Sequence, residues 1–239
     1  MVQKTKDQTI NALRKALLEI EDLYKSGCVN WTRITSDSNE LYTEVIANEL
    51  LQEIDRFDKI KRVTREKTYF VPDHVNIFIN SNSNRGEEKF AKKLVDQDLG
   101  SLGRIKDYQI PLKNVRKDKL GKVDLVSYNE KTKTLYLIEL KFEGNEETLL
   151  RAALEIFTYY KSVDIDKLKN DFCQSFNYSI SPDEIKVKPV VLLYPECNAY
   201  RELEEVESGK RPKFKALAKV LGIEFFTVEF LIEQRNIYT

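Results

Sequence analysis

The chain has 239 residues, with 39 Lys plus Arg balanced by 39 Asp plus Glu, 41% apolar residues and 10% aromatics. That composition excludes a fibrous, disordered or low-complexity protein, and no apolar run reaches the roughly 20 residues of a membrane span. With a polar amino terminus, it leads to the expectation of a cytoplasmic globular protein.

Residues 5–25 carry Ile10, Leu13, Leu17, Ile20 and Tyr24 at the three-and-four spacing of one amphipathic helix, stopped by Ser26 and Gly27. Residues 40–57 predict a second helix, with Leu41, Val45, Ile46, Leu50 and Ile54 inward and Asp37 and Glu40 spaced as a capping box. Residues 67–71 and 75–79 are strand-like, and the polar run 80–84 is loop-like. Residues 1–80 are therefore expected to form an N-terminal helical extension packed on a core made by 81–239.

The core opens with a helix over 86–96, whose inner side is Phe90, Ala91 and Leu94. Strands over 105–112, 122–128 and 134–142 follow, the last two joined by a turn at 130–133. A helix over 146–163 comes next, with Asn145 as its N-cap and Leu149, Ala153, Ile156 and Tyr160 as its buried stripe. A strand over 188–194, a helix over 213–221 and a strand over 223–230 complete the chain. The apolar run Val190 to Leu193 suits a strand covered on both faces. The fold class is α/β, a mixed sheet with helices on its faces.

Cys28, Cys173 and Cys197 are too scattered for a disulfide framework or a thiolate metal site, and the single His74 excludes a multi-histidine centre. His74 sits in a turn-like stretch and is a weak candidate for a catalytic base.

The chemistry concentrates in the hairpin. A period of two puts Glu139 and Lys141 on one face of their strand and Leu140 on the other. A turn centred between Lys131 and Thr132 sets Asp124 opposite Glu139, at a Cβ separation of roughly 4.5 to 5.5 Å, where like charges repel. A divalent cation such as Mg²⁺ relieves that repulsion, and a lysine beside it orients or helps deprotonate an attacking water. An ordinary charged hairpin face with a Glu139–Lys141 ion pair is the competing expectation.

These residues resemble the PD-(D/E)xK nuclease superfamily, the restriction-endonuclease-like fold, in which a strand Asp and an E-x-K on the paired strand form the site. The resemblance covers about the last two thirds of the chain and follows the family's α-β-β-β-α-β core order. It implies a hydrolase that cleaves phosphodiester bonds of DNA, or RNA, through a metal-activated water. Asp124, Glu139 and the Leu140 carbonyl would hold Mg²⁺, with Mn²⁺ as a substitute, and Lys141 would be the catalytic lysine. Val123 stands where the family often has Pro. Many members add a Glu on the first core helix, and Glu87 fits better than Glu88 because it shares the face of Phe90, Ala91 and Leu94. Stabilisation of the helix N-terminus is the alternative role for Glu87. A catalytically inactive module of the same fold, binding nucleic acid or protein, is the second expectation.

On the helix after the hairpin, Arg151, Glu155 and Tyr159 fall at four-residue steps away from the buried stripe. A solvated Arg151–Glu155 pair is expected there, with Arg151 and Tyr159 near the substrate as the alternative. Zero net charge argues against binding nucleic acid by charge alone. Residues 104–122 nevertheless hold seven basic side chains, among them Lys113, Arg116, Lys117, Lys119 and Lys122, against two acidic ones. These are the expected nucleic-acid contacts. The N-terminal helices are the expected surface for a homodimer or a partner protein.

Overall fold

The computed structural model describes residues 3–71, 74, 85–113 and 121–228. The expected strand at 75–79, the loop at 80–84 and the side chains of Arg116, Lys117 and Lys119 lie outside the described residues. The protein is a mixed α/β structure built on one five-stranded sheet. Its elements are helix α1 (Lys6–Ala16), α2 (Tyr42–Gln52), α3 (Gly86–Leu94), strands β1 (Arg104–Pro111), β2 (Lys122–Asn129) and β3 (Thr134–Lys141), helices α4 (Leu149–Ser162) and α5 (Ile165–Ser175), β4 (Lys186–Leu193), α6 (Asn198–Glu207), α7 (Pro212–Leu221) and β5 (Glu224–Thr227). The strands lie side by side in chain order, antiparallel across β1, β2 and β3 and parallel across β3, β4 and β5.

The hairpin forms in the expected register, with Leu125 paired to Ile138 and Asn129 to Thr134. Asn129 closes the turn, its side-chain oxygen accepting from the N–H groups of Lys131 and Thr132 at 3.0 and 3.1 Å. Both crossovers from β3 to β4 and from β4 to β5 run through helices, as parallel pairing requires. Val190, Val191, Leu192 and Leu193 are all fully buried, and Pro189 precedes the point where β5 begins to pair. On one face α3 packs Ala91 and Leu94 against Leu125, Tyr136, Ile138 and Leu140. The other face, with Val126, Leu137 and Val191, joins α4 and the N-terminal helices in a larger core.

The N-terminal stripe turns inward as expected at Leu13, Leu17, Ile20 and Tyr24. The single helix does not persist: α1 ends at Ala16, and a 3₁₀ stretch over Leu17–Lys25 contains a non-helical turn at Glu19. The capping box sits at Thr5 and Gln8. Asp37 and Glu40 do not cap α2; Asp37 accepts from the Lys6 N–H and Glu40 pairs with the Lys6 ammonium. Residues 67–71 form no strand. Helices α5 and α6 were not expected from sequence, and α4 starts at Leu149 with Thr148, not Asn145, as its N-cap. Because the N-terminal helices cover its outer side, α4 is buried nearly all round and not on one stripe. Among the described residues no helix is long and apolar enough to cross a membrane.

Candidate metal and nucleic-acid site

The β2–β3 pairing runs as far as Leu125 and Ile138, which leaves Asp124 and Glu139 as the next residues along the same register. There the Leu140 N–H donates to one Asp124 carboxylate oxygen at 3.0 Å, and the Gln109 amide donates to the other at 2.8 Å. Gln109 lies on β1 just after a bulge and adopts a φ of 48°, a left-handed conformation unusual for a side chain other than glycine. Sequence reasoning missed it, and no residue pattern signals it.

The N–H and C=O of one strand residue leave the chain on the same side, so the Leu140 carbonyl is directed toward β2, where Asp124 sits. By alternation the Lys141 carbonyl points to β4 and accepts from the Tyr194 N–H at 2.9 Å. Lys141 shares the face of Glu139 and is 3% exposed, an unusual burial for lysine. Its ammonium lies 2.8 Å from Glu139, 2.6 Å from Glu147 and 3.6 Å from Glu155. Glu87, at the start of α3, reaches over the end of β3 and accepts from the Phe142 N–H at 3.4 Å, while Glu88 turns outward to Arg85 and Lys92.

Arg151 pairs with Glu147 at 2.9 Å and not with Glu155, so the expected solvated pair does not form. Glu155 instead accepts from the buried Tyr159 hydroxyl at 2.8 Å and faces Lys141. Glu147 was not anticipated: with the helix expected to begin at 146, its carboxylate had no reason to point at Lys141. Around the rim, Phe90, Phe142 and Tyr194 pack with ring centroids 4.8 to 5.2 Å apart. His74 is elsewhere, bonded to Asp107 at 2.6 Å and stacked on Tyr108.

The site therefore gathers five carboxylates, from Asp124, Glu139, Glu87, Glu147 and Glu155, around Lys141 and Arg151. With all of them ionised it carries three uncompensated negative charges. Burial first, and the Glu87 charge second, push the Asp124 carboxyl up to about 7. Burial and the Asp124 charge also hold Glu139 well above the ordinary range, although Lys141 touches it, because one ammonium is divided among three carboxylates. Burial by itself lowers a lysine, yet the charges of Glu139, Glu155 and Glu147 overcome it and raise Lys141 well above its usual value. Burial also raises the Glu87 carboxyl and the Tyr159 phenol.

Among the described residues, no three His, Cys, Asp or Glu side chains are grouped so as to hold a metal ion by themselves. Two carboxylates and a carbonyl completed by water form a donor set suited to Mg²⁺, which keeps several waters. The charge excess fits a divalent cation as well. Of the expected nucleic-acid contacts, Lys113 and Lys122 stand just before and just after the segment that joins β1 to β2, and Lys122 is exposed on the strand face of Asp124. The Lys113 carbonyl accepts from Arg65. No family model matches the chain, and no curated protein or solved structure gives a significant match.

Proposed function

We propose that the protein is a divalent-metal-dependent nuclease of the restriction-endonuclease-like fold, hydrolysing phosphodiester bonds of DNA or RNA. The observation that carries this reading is the burial of Asp124, Glu139 and Lys141 together at the end of the hairpin, with carboxylates in excess. An ordinary charged hairpin face is solvated, whereas these three side chains are 7%, 4% and 3% exposed. Burying such charges is costly unless they are paired or bind a ligand, and here the carboxylates outnumber the Lys141 and Arg151 cations that pair with them. The order α3, β1, β2, β3, α4, β4 supports the fold assignment, with α5 as an addition.

Asp124, Glu139 and the Leu140 carbonyl would hold the cation, Mg²⁺ or Mn²⁺. When bound, it supplies a polarised water and offsets charge on the phosphate. Gln109 fixes the orientation of Asp124, and Glu87 adds negative potential from α3. Lys141 stays an ammonium at neutral pH, so it acts as a hydrogen-bond donor that orients water and balances phosphate charge, not as the base. Lys113, Lys122 and Arg151 would meet the phosphate backbone, together with Arg116, Lys117 and Lys119 of the same connection.

The test is cleavage of single- and double-stranded DNA and RNA with Mg²⁺ or Mn²⁺. No cleavage of any form, or a Lys141→Ala variant as active as wild type, overturns the mechanism. A second reading, an inactive module, draws support from the self-satisfaction of the site: Asp124 and Lys141 already have hydrogen-bond or ionic partners within the chain. That reading requires that calorimetry detect no Mn²⁺ binding dependent on Asp124 and Glu139.

A further inference from the structure

The N-terminal segment carries none of the site's motif residues, yet it reaches the site by two routes. Tyr24 is 4% exposed, and its hydroxyl lies 3.3 Å from that of Tyr159, the two rings meeting edge to face. Tyr159 has one hydroxyl proton and gives it to Glu155, so in the pair of tyrosines Tyr24 is the donor and the Tyr159 oxygen accepts. Glu155 then faces the Lys141 ammonium at 3.6 Å. On the second route, the Asn30 side chain and the Val29 carbonyl accept from the Thr148 N–H and hydroxyl at 2.8 and 2.6 Å. Thr148 is the N-cap of α4, and the residue before it, Glu147, lies 2.6 Å from Lys141.

Two of the three carboxylates around Lys141 thus depend on residues 24–30 for their placement. We infer that Tyr24 is a positioning residue: its hydroxyl fixes Tyr159 and Glu155, and through them the orientation of the Lys141 ammonium. A chain of hydrogen bonds polarises its members, so the loss of the first donor is felt at the last acceptor. A tyrosine that served only to fill the core would need its ring and not its hydroxyl. The kinetic consequence rests on the nuclease reading; the geometric one does not.

Tyr24→Phe, which keeps the ring, separates the two. The full-length protein is assayed by cleavage kinetics and by the ¹⁵Nζ resonance of Lys141, with Lys6→Ala as a control because Lys6 pairs with Glu40 away from this chain of hydrogen bonds. The expected result is a kcat lower by roughly two- to tenfold, the effect of one neutral hydrogen bond, with KM unchanged and the unfolding midpoint lowered by no more than the loss of that one bond, so that the variant stays folded under assay conditions. The Lys141 resonance shifts in Tyr24→Phe and not in Lys6→Ala. An unmoved resonance overturns the inference, as does a shifted resonance in an active enzyme whose kcat is unchanged. If wild type cleaves nothing while Tyr24→Phe still shifts the resonance, the nuclease reading fails and the positioning of Lys141 stands.

Discussion

Replacing Asp124 with Asn removes one charge from the buried cluster while retaining the shape of the side chain. The Asn carbonyl accepts from the Leu140 N–H, and the Gln109 amide turns to present its oxygen to the new NH₂ group. An acid moved from 3.8 to about 7 carries roughly 4 kcal/mol of unfavourable free energy once ionised, at about 1.4 kcal/mol per pH unit. The sign follows from proton linkage. Between 3.8 and about 7 the folded state keeps a proton on Asp124 that the unfolded state has released, so stability falls as pH rises through that window and levels off above it. Unfolding by urea in EDTA should therefore show wild type losing stability from pH 4 to pH 8. Asp124→Asn should be about 2 to 4 kcal/mol more stable than wild type at pH 8 and little different at pH 4. Adding Mn²⁺ at pH 8 should raise the wild-type midpoint and leave the variant unchanged. Wild-type stability that is flat or rising over this range, with no gain in the variant at pH 8, would refute the view that Asp124 is a destabilised charge.

A methyl group on Gly121 would lie 2.1 Å from the Tyr159 hydroxyl, so Gly121→Ala should cost about 1 to 3 kcal/mol in denaturant unfolding and lower cleavage by displacing Tyr159. Arg211 is 5% exposed and pairs with Glu202, which itself accepts from the Leu149 N–H at the start of α4. Arg211→Met leaves that carboxylate buried without its cation and should cost about 3 to 5 kcal/mol in chemical denaturation. Combined Lys113→Ala and Lys122→Ala should weaken binding of a single-stranded oligonucleotide and reduce the slope of log affinity against log salt by about 0.7 for each phosphate no longer neutralised. An unchanged slope in a salt titration assigns phosphate binding to other residues.

The hairpin was legible because a turn at residues 130–133 determines every cross-strand pair that follows, and Asp124, Glu139 and Lys141 inherit their common face from it. The helix at Gly86 was legible from its apolar spacing, which also separates the inward Glu87 from Glu88. Glu147 was not, because its direction depends on Thr148 being the N-cap of α4, and that cap is held by tertiary bonds to Val29 and Asn30. The acidic run at 202–207 resembles a solvated segment. In the folded protein it belongs to α6, where Glu202 is buried against Arg211 nine residues later and Ala199, Leu203 and Val206 form the inner side. Gln109 owes its role to a bulge between Ile105 and Asp107, a local irregularity that no periodicity encodes. The break after Ala16 left the apolar stripe inward, so spacing alone does not reveal it; its mark is Leu18, 80% exposed.

Cleavage of matched single- and double-stranded DNA and RNA, by wild type and by Lys141→Ala, with Mg²⁺, with Mn²⁺ and with EDTA, tests the central claim most directly. A metal-dependent nuclease gives wild-type cleavage of at least one form with either metal, none with EDTA, and a loss of about 100-fold or more in Lys141→Ala, the scale of one missing electrostatic donor. Cleavage that persists in EDTA, or that Lys141→Ala retains in full, would contradict it.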